Sequence, residues 1–278
     1  MWQKLSKLIK LLLKTIAVLL LIGLWSTASY FAINYFAKLT EEKNDCNISG
    51  ISLHGEVVTY NSADSYNDNG DLVRDQTSAD EVLYIVRQAQ SNDDIKAIVV
   101  DIDSGGGYPE AGEEMMNAFK QSKKPVIAFI RGQGLSAAYL AATGAQTIFA
   151  SKFSDIGSIG ITGSYLQETE KNKKEGLTYI DLSSGKYKDT GNTGRALTLD
   201  EKKLFMRDIN IMFSYFVEIV AKNRKIDITK VREIADGSSM LGDAALKAGL
   251  IDRIGLYPDV RKYLSEKIGT EAKICWEN

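Results

Sequence analysis

The sequence predicts an α/β protein built on a mainly parallel sheet, preceded by one membrane-spanning helix. Two stretches carry the first expectation. Residues 95–102 (Ile-Lys-Ala-Ile-Val-Val-Asp-Ile) and 125–130 (Pro-Val-Ile-Ala-Phe-Ile) are nearly continuous apolar runs, the pattern of strands buried on both faces. Each leads into a small-residue turn and then a helix-like pattern, and strand–helix–strand order favours parallel pairing. A third stretch, residues 15–37, carries no charge over 23 residues. As a helix it is long enough to cross about 30 Å of hydrocarbon.

Taken in order, the chain opens on a basic tail, residues 1–14, with Lys4, Lys7, Lys10 and Lys14 and no acid. Lysines ahead of an apolar span place the N-terminus in the cytoplasm. Everything after about residue 38 then lies outside it, held at the cell (inner) membrane and facing the periplasm or exterior. The small residues Ser26, Thr27, Ala28 and Ser29 fit a signal-peptide cleavage site as the competing reading. The apolar run is longer than such peptides use, so an uncleaved single-pass anchor is expected. Residues 38–50 read as a polar linker.

Residues 51–60 alternate like a strand. Residues 61–78, rich in Asp, Asn, Ser and Gly, read as an exposed loop. Val82, Ile85, Val86 and Ala89 recur at helical spacing behind a cap at Ser78 to Asp80. The strand at 95–102 ends in Asp103-Ser104-Gly105-Gly106-Gly107, read as a turn before a helix opened by Pro109. Such a turn offers backbone N–H groups to a phosphate or an oxyanion. It has neither the dinucleotide glycine pattern nor the phosphate-loop lysine, so no nucleotide site is expected. Asp101 and Asp103 read as acids closing a strand, and no metal is expected.

The strand at 125–130 leads to Gly132–Gly144, centred on Ser136. A serine at a strand-to-helix turn exposes its hydroxyl beside free helix N–H groups. Serine is also a favoured N-cap, and the local sequence fits nucleophile and cap equally. Both turns fall at the carboxyl ends of parallel strands, where such sheets bind ligands.

Farther on, residues 146–150 read as a strand and Gly157-Ser158-Ile159-Gly160 as a tight turn. Lys186 and Lys188 are two apart, so on a strand they would share a face. Thr198 with Glu201 forms a capping box for a long helix through Lys222, with Leu204, Ile209, Met212, Phe213, Phe216 and Val220 as its apolar stripe. Short helices at 231–234 and 242–248, a strand at 250–254 and a helix at 259–268 complete one domain, residues 51–270. Residues 271–278 read as a tail.

Composition narrows the chemistry. A net charge of −2 over 278 residues gives no electrostatic case for nucleic-acid binding. The single histidine, His54, excludes a multi-histidine metal site and leaves any Ser-His-Asp triad dependent on that residue. A lone strand histidine is ordinarily a packed or half-exposed side chain rather than a base. Cys46 and Cys275 form no CxxC pair. A disulfide is possible outside the cytoplasm, but two unrelated thiols are expected.

Several segments, in order, resemble the signal peptide peptidase A family, also called protease IV. Asp103-Ser104-Gly105-Gly106-Gly107 is similar to its Asn-Ser-Pro-Gly-Gly turn, and Lys124 to Ala128 to its Lys-Pro-Val-Val-Ala strand. Leu135-Ser136-Ala137-Ala138-Tyr139 stands where the family has Ala-Ser-Gly-Gly-Tyr. Gly157-Ser158-Ile159-Gly160 is identical to its Gly-Ser-Ile-Gly. Gly185 to Asp189 falls on the segment that carries the family's lysine. Ala235-Asp236-Gly237 and Ala248 to Asp252 match later landmarks.

The resemblance, from about Ile51 to Leu264, implies a ClpP/crotonase-like fold of stacked ββα units and a Ser/Lys dyad without cofactor or metal. It implies Ser136 as nucleophile, Lys188 rather than Lys186 as general base, Ser158 orienting that lysine, and the amides of Gly106 and Ala137 as oxyanion hole. It further implies homo-oligomers in which one subunit's lysine completes its neighbour's site, with cleaved signal peptides and other membrane-derived peptides as substrates. A lysine of ordinary pKa, about 10.4, cannot accept a proton at neutral pH; burial has to lower it by roughly 3 units. Gly105 replaces the family's proline, and Ala137 and Ala138 replace two glycines. These departures support a second reading, a catalytically impaired scaffold or binding protein. A third, a crotonase-like acyl-CoA enzyme, fits poorly with an extracytoplasmic location.

Overall fold

The computed structural model describes residues 14, 16, 19, 22–27, 29–33, 35, 45–61, 65–66, 72–73 and 76–277. The chain divides into two units, residues 1–45 and 46–278. In the first, the described residues from 14 to 35 are helical, and Leu24, Trp25, Phe31 and Ile33 are exposed. Among the described residues, no helix is long and apolar enough to cross a membrane. Much of the expected span 15–37, the tail 1–13 and most of the linker lie outside the described residues.

The second unit begins with strand β1 (Ile48–Val58). A two-stranded antiparallel pair, β2 (Ser65–Tyr66) and β3 (Leu72–Val73), follows, then β4 (Gln76–Ser78). Ser78 caps helix α1 (Ala79–Ser91) by accepting from Glu81 N, as its sequence position predicts. Strand β5 (Ala97–Gly107) and helix α2 (Pro109–Gln121) come next, then β6 (Val126–Leu135), α3 (Ala137–Ala142) and β7 (Thr147–Ala150). Strand β8 (Asp155–Gly157) precedes α4 (Thr169–Lys174) and the long α5 (Leu199–Arg224). The chain closes with α6 (Ile228–Ile234), β9 (Ser239–Leu241), α7 (Gly242–Lys247), β10 (Arg253–Ile254), α8 (Tyr257–Ile268) and β11 (Ile274–Glu277).

The sheet runs β10-β7-β6-β5-β1-β11 with every neighbour parallel. The expected parallel α/β architecture is therefore present. On one face, Val82, Ile85 and Val86 of α1, Met115 and Phe119 of α2, and the small side chains of α3 share a core with Ile98, Val100 and Ile102. On the other, Val260 and Leu264 of α8 pack on Val99, Ile127, Phe129 and Phe149. Each fully buried large apolar side chain contributes about 1.5–3 kcal/mol.

Four expectations are corrected. First, β5 and β6 outrun their apolar runs. The pairing shifts register between His54 and Glu56 and again between Ile102 and Ser104. Beyond those irregularities β1 adds β4 and β6 adds β8. The glycine-rich turn is thus the last part of a strand, with Gly107 opposite Val57. A Cβ on Gly107 would lie 2.2 Å from Val57 O, so apolar content could not signal this pairing but glycine permits it.

Second, the C-terminal residues are not a tail, because Ile274–Glu277 adds an edge strand to β1. Third, Cys46 and Cys275 are joined in a disulfide, with Cα atoms 5.7 Å apart, within the range such a bond spans. The β1–β11 register brings the two ends of the unit together, which spacing alone could not reveal. Fourth, Lys186 and Lys188 are not on a strand; residues 177–197 form turns and irregular chain.

Candidate active site

Strand β6 ends at Leu135 and α3 begins at Ala137, which leaves Ser136 as the junction. Its backbone has φ 51° and ψ −122°, a region that costs a non-glycine residue on the order of 1–3 kcal/mol. Two main-chain bonds hold it there. Ser136 N donates to Gly157 O at 2.8 Å, and Leu140 N donates to Ser136 O at 2.9 Å. Ser136 occupies the N-cap position, yet its side chain makes no cap hydrogen bond. The hydroxyl is left for other work, and Ser136 lines a groove of about 890 Å³.

The strand end beside it fits tightly. Gly106 has φ +104° and faces Leu135 O, Ser136 Cβ and Ala137 N. Its N–H donates to Ser104 Oγ at 3.1 Å, and Ser104 Oγ in turn donates to Gly55 O at 2.5 Å. The Gly106 amide, expected as an oxyanion donor, is spent inside the strand end. Gly107, one residue on, lines the groove together with Ser136 and Ala137.

The replaced family residues sit without strain. Ala137 and Ala138 begin α3, and neither they nor Gly105 has a positive φ. A Cβ at Gly105 would meet only Gln133 Oε1, at 3.9 Å.

Ser158 also lines the groove, at φ 49°. Its Oγ donates to Gly237 O at 3.0 Å and its N–H to Ser238 O at 3.1 Å. With its proton committed, the hydroxyl oxygen keeps lone pairs for an incoming N–H. The Ala235-Asp236-Gly237 landmark is therefore the groove's floor at this point. Ile209, Met212 and Phe213 form an apolar wall. In the sequence they belong to the apolar stripe of the long helix. In fact α5 is buried mainly from Phe216 onward, at Phe216, Val217, Val220 and Ala221, so the same periodicity serves core at one end and groove at the other.

Lys188 does not line this groove. It is exposed, and its N–H donates to Gly185 O in a turn. Lys186 is engaged elsewhere: its Nζ donates to Asp200 Oδ2 at 2.9 Å, which holds its pKa above the ordinary lysine value. Ser136, Ser158, Ala137 and the glycine strand end are thus brought together within one chain, and the lysines are not. His54 lies away from the groove, 3.6 Å from Asp101. Among the described residues, no cluster of His, Cys, Asp and Glu is arranged to hold a metal ion.

The description "Peptidase family S49" belongs to the family model that matches residues 118–271, more than half of the chain. A Clp protease model matches residues 70–155. A Methanocaldococcus jannaschii protein is 32% identical over 201 residues, 71% of this chain and 65% of its own length. Protease 4 of Salmonella typhi is 27% identical over 242 residues, 84% of this chain but 37% of that protein. The chloroplastic serine protease SPPA of Arabidopsis thaliana is 29% identical, over 64% of this chain and 27% of that one. The chain therefore spans from about a quarter to two thirds of these relatives. Among solved structures, a serine-to-alanine mutant of the 1510-N membrane-bound stomatin-specific protease superposes with a TM-score of 0.50 at 16% identity, covering 84% of this chain and 98% of that one. The fold is ClpP-like, and the chain belongs to peptidase family S49.

Proposed function

We propose that the chain is a membrane-anchored serine endopeptidase that hydrolyses apolar, membrane-derived peptides, cleaved signal peptides among them, with a Ser136/Lys188 dyad. The observation that carries this reading is the placement of Ser136: a strained strand-to-helix junction whose hydroxyl is free of capping and opens on an apolar-walled groove. Lys188, once neutral, takes the Ser136 proton. The alkoxide attacks the peptide carbonyl, the amine leaves with the proton returned by Lys188, and water releases the acyl group. Ser158 accepts a hydrogen bond from the lysine amine and aims it. The oxyanion is held by the Ala137 amide and a second amide from the glycine strand end. Gly107 suits that role better than Gly106, whose N–H is already spent.

The base comes from a second copy of the chain. In support, Lys188 stands exposed in a segment that also exposes Leu166, Ile180 and Leu182, an apolar surface of the kind that subunit contacts cover. The uncharged run 15–37 serves as anchor, and the Cys46–Cys275 disulfide suits an oxidising, extracytoplasmic compartment.

The test is hydrolysis of an internally quenched apolar peptide by the detergent-solubilised full chain. Ser136→Ala and Lys188→Ala each lower kcat/KM at least about 1,000-fold, in the range seen when a nucleophile or base is removed, whereas Lys186→Met stays within about twofold. Full activity in Ser136→Ala would overturn the reading.

A further inference from the structure

The segment after Lys188 is tied to the start of α5 by a knot of charged groups that the proposed mechanism does not use. Arg195 lies at its centre. Its guanidinium donates to both oxygens of Glu201, at 2.6 Å to Oε1 and 2.9 Å to Oε2. The same guanidinium donates to Asp189 Oδ2 and to the Asp189 main-chain oxygen, each at 3.1 Å. The remaining Asp189 oxygen accepts from the Tyr179 hydroxyl at 2.6 Å, which pushes that phenol up to about 12.

Glu201 is the fixed end. Its side chain is 3% exposed, and it also accepts from Thr190 Oγ1, Thr198 N and Thr198 Oγ1 while closing the capping box of a 26-residue helix. These partners hold its carboxyl far below the ordinary range. A carboxylate so thoroughly satisfied in an otherwise exposed segment is costly to bury and serves geometry. What it fixes is residue 189, through the carboxylate, the carbonyl and, by way of Tyr179, the chain ten residues earlier. Residue 189 follows Lys188 directly. Lys186, two residues before, is drawn aside to Asp200, 53% exposed on the first turn of the same helix.

We infer that Arg195, bridging Glu201 and Asp189, is a positioning residue that presents Lys188 to the Ser136 site as a preformed unit. The inference rests on the Ser136/Lys188 reading above. It asks of the knot only that it fix where the lysine stands, in whichever subunit's site that lysine acts. Displacement of a catalytic group by about 1 Å costs roughly 100-fold in rate.

The experiment measures kcat and KM separately for the full-length protein on the same quenched peptide. Arg195→Met is expected to lower kcat about 100-fold with KM within about twofold, and added guanidinium ion is expected to restore part of kcat. Asp189→Asn, which keeps size and leaves the Glu201–Arg195 pair intact, is the second variant and lowers kcat about tenfold; it decides the matter if Arg195→Met does not fold. Asp200→Asn, which frees Lys186, leaves both constants unchanged. Wild-type kcat in Arg195→Met, or in Asp189→Asn, while Ser136→Ala and Lys188→Ala are inactive, overturns the positioning role alone. Activity persisting in Ser136→Ala or Lys188→Ala overturns the dyad and this inference with it.

Discussion

Gly106 and Ser136 meet across a gap that no side chain can enter: a Cβ built on Gly106 would stand 2.8 Å from Ser136 Cβ. Gly106 also sits at φ +104°, a conformation that costs a residue with a Cβ. Gly106→Ala is therefore expected to push the Ser136 junction out of place. Peptidase activity falls at least 100-fold, as misplacement of a reacting group entails, and stability falls by about 1–3 kcal/mol. Kinetics together with urea denaturation check this, and an Ala variant of full activity would show that the junction tolerates movement.

If the groove takes the substrate as proposed, its apolar wall is expected to set a preference among peptides. Phe213 lines the groove beside Met212 and Ile209. Truncation to Ala removes contact area worth about 1–3 kcal/mol toward an apolar substrate side chain. In Phe213→Ala, kcat/KM is expected to fall about tenfold or more for peptides with a large apolar residue next to the scissile bond and to change little for those with Ala there. Equal losses on both peptides would place the substrate elsewhere.

The disulfide closes the longest loop in the unit, with the two cysteines 229 positions apart in sequence. Chain entropy alone assigns such a cross-link about 5 kcal/mol, and measured values are commonly about 2–4. The double variant Cys46→Ser/Cys275→Ser is expected to melt roughly 10 °C lower. An unchanged melting temperature, with two thiols titrating in the unreduced denatured protein, would contradict the pairing.

Asp101 gives a pH test on the other side of the sheet. It is buried, and burial raises its carboxyl above the ordinary value against the opposing pull of Arg131 and His54. Arg131 approaches Oδ2 at 2.5 Å, while Oδ1 has no hydrogen-bond partner among the described residues. A raised acid binds its proton more tightly in the folded state. Its charge therefore costs stability at neutral pH, and that cost disappears as pH falls through the folded value toward the unfolded one, about 3.9. Asp101→Asn is expected to raise the urea midpoint at pH 7 and to have a smaller effect at pH 4. A lowered midpoint at pH 7 would mean that the Arg131 pair outweighs burial.

Much of this was legible beforehand because it is local. The apolar runs of β5 and β6, Ser78 capping α1 and the Thr198–Glu201 box are decided by neighbours a few residues away, and the structure has each of them. Ser136 was legible as a junction, although position alone could not say that its hydroxyl would be free of the cap. What escaped depends on register. The glycine end of β5 pairs with β1 only because no side chain intervenes, so hydrophobic pattern is silent there. The β1–β11 pairing that joins Cys46 to Cys275 spans nearly the whole unit. The Gly106 amide is committed to a side-chain oxygen two residues back, a contact that no hydrophobic pattern marks. Glu201 is legible as the capping-box acid, but nothing in the sequence joins it to Arg195 and Asp189, and only the path of residues 177–197 gathers the three into one knot.

The central claim is that Ser136 is the nucleophile and Lys188 its base. The most direct measurement is peptide mapping by mass spectrometry after the detergent-solubilised full chain reacts with a fluorophosphonate, with the labelling rate followed over time. The account predicts one adduct, on Ser136, absent in Ser136→Ala, formed at least about 100-fold more slowly in Lys188→Ala, and unaffected in Lys186→Met. An adduct on another residue, or undiminished labelling in Lys188→Ala, would contradict it.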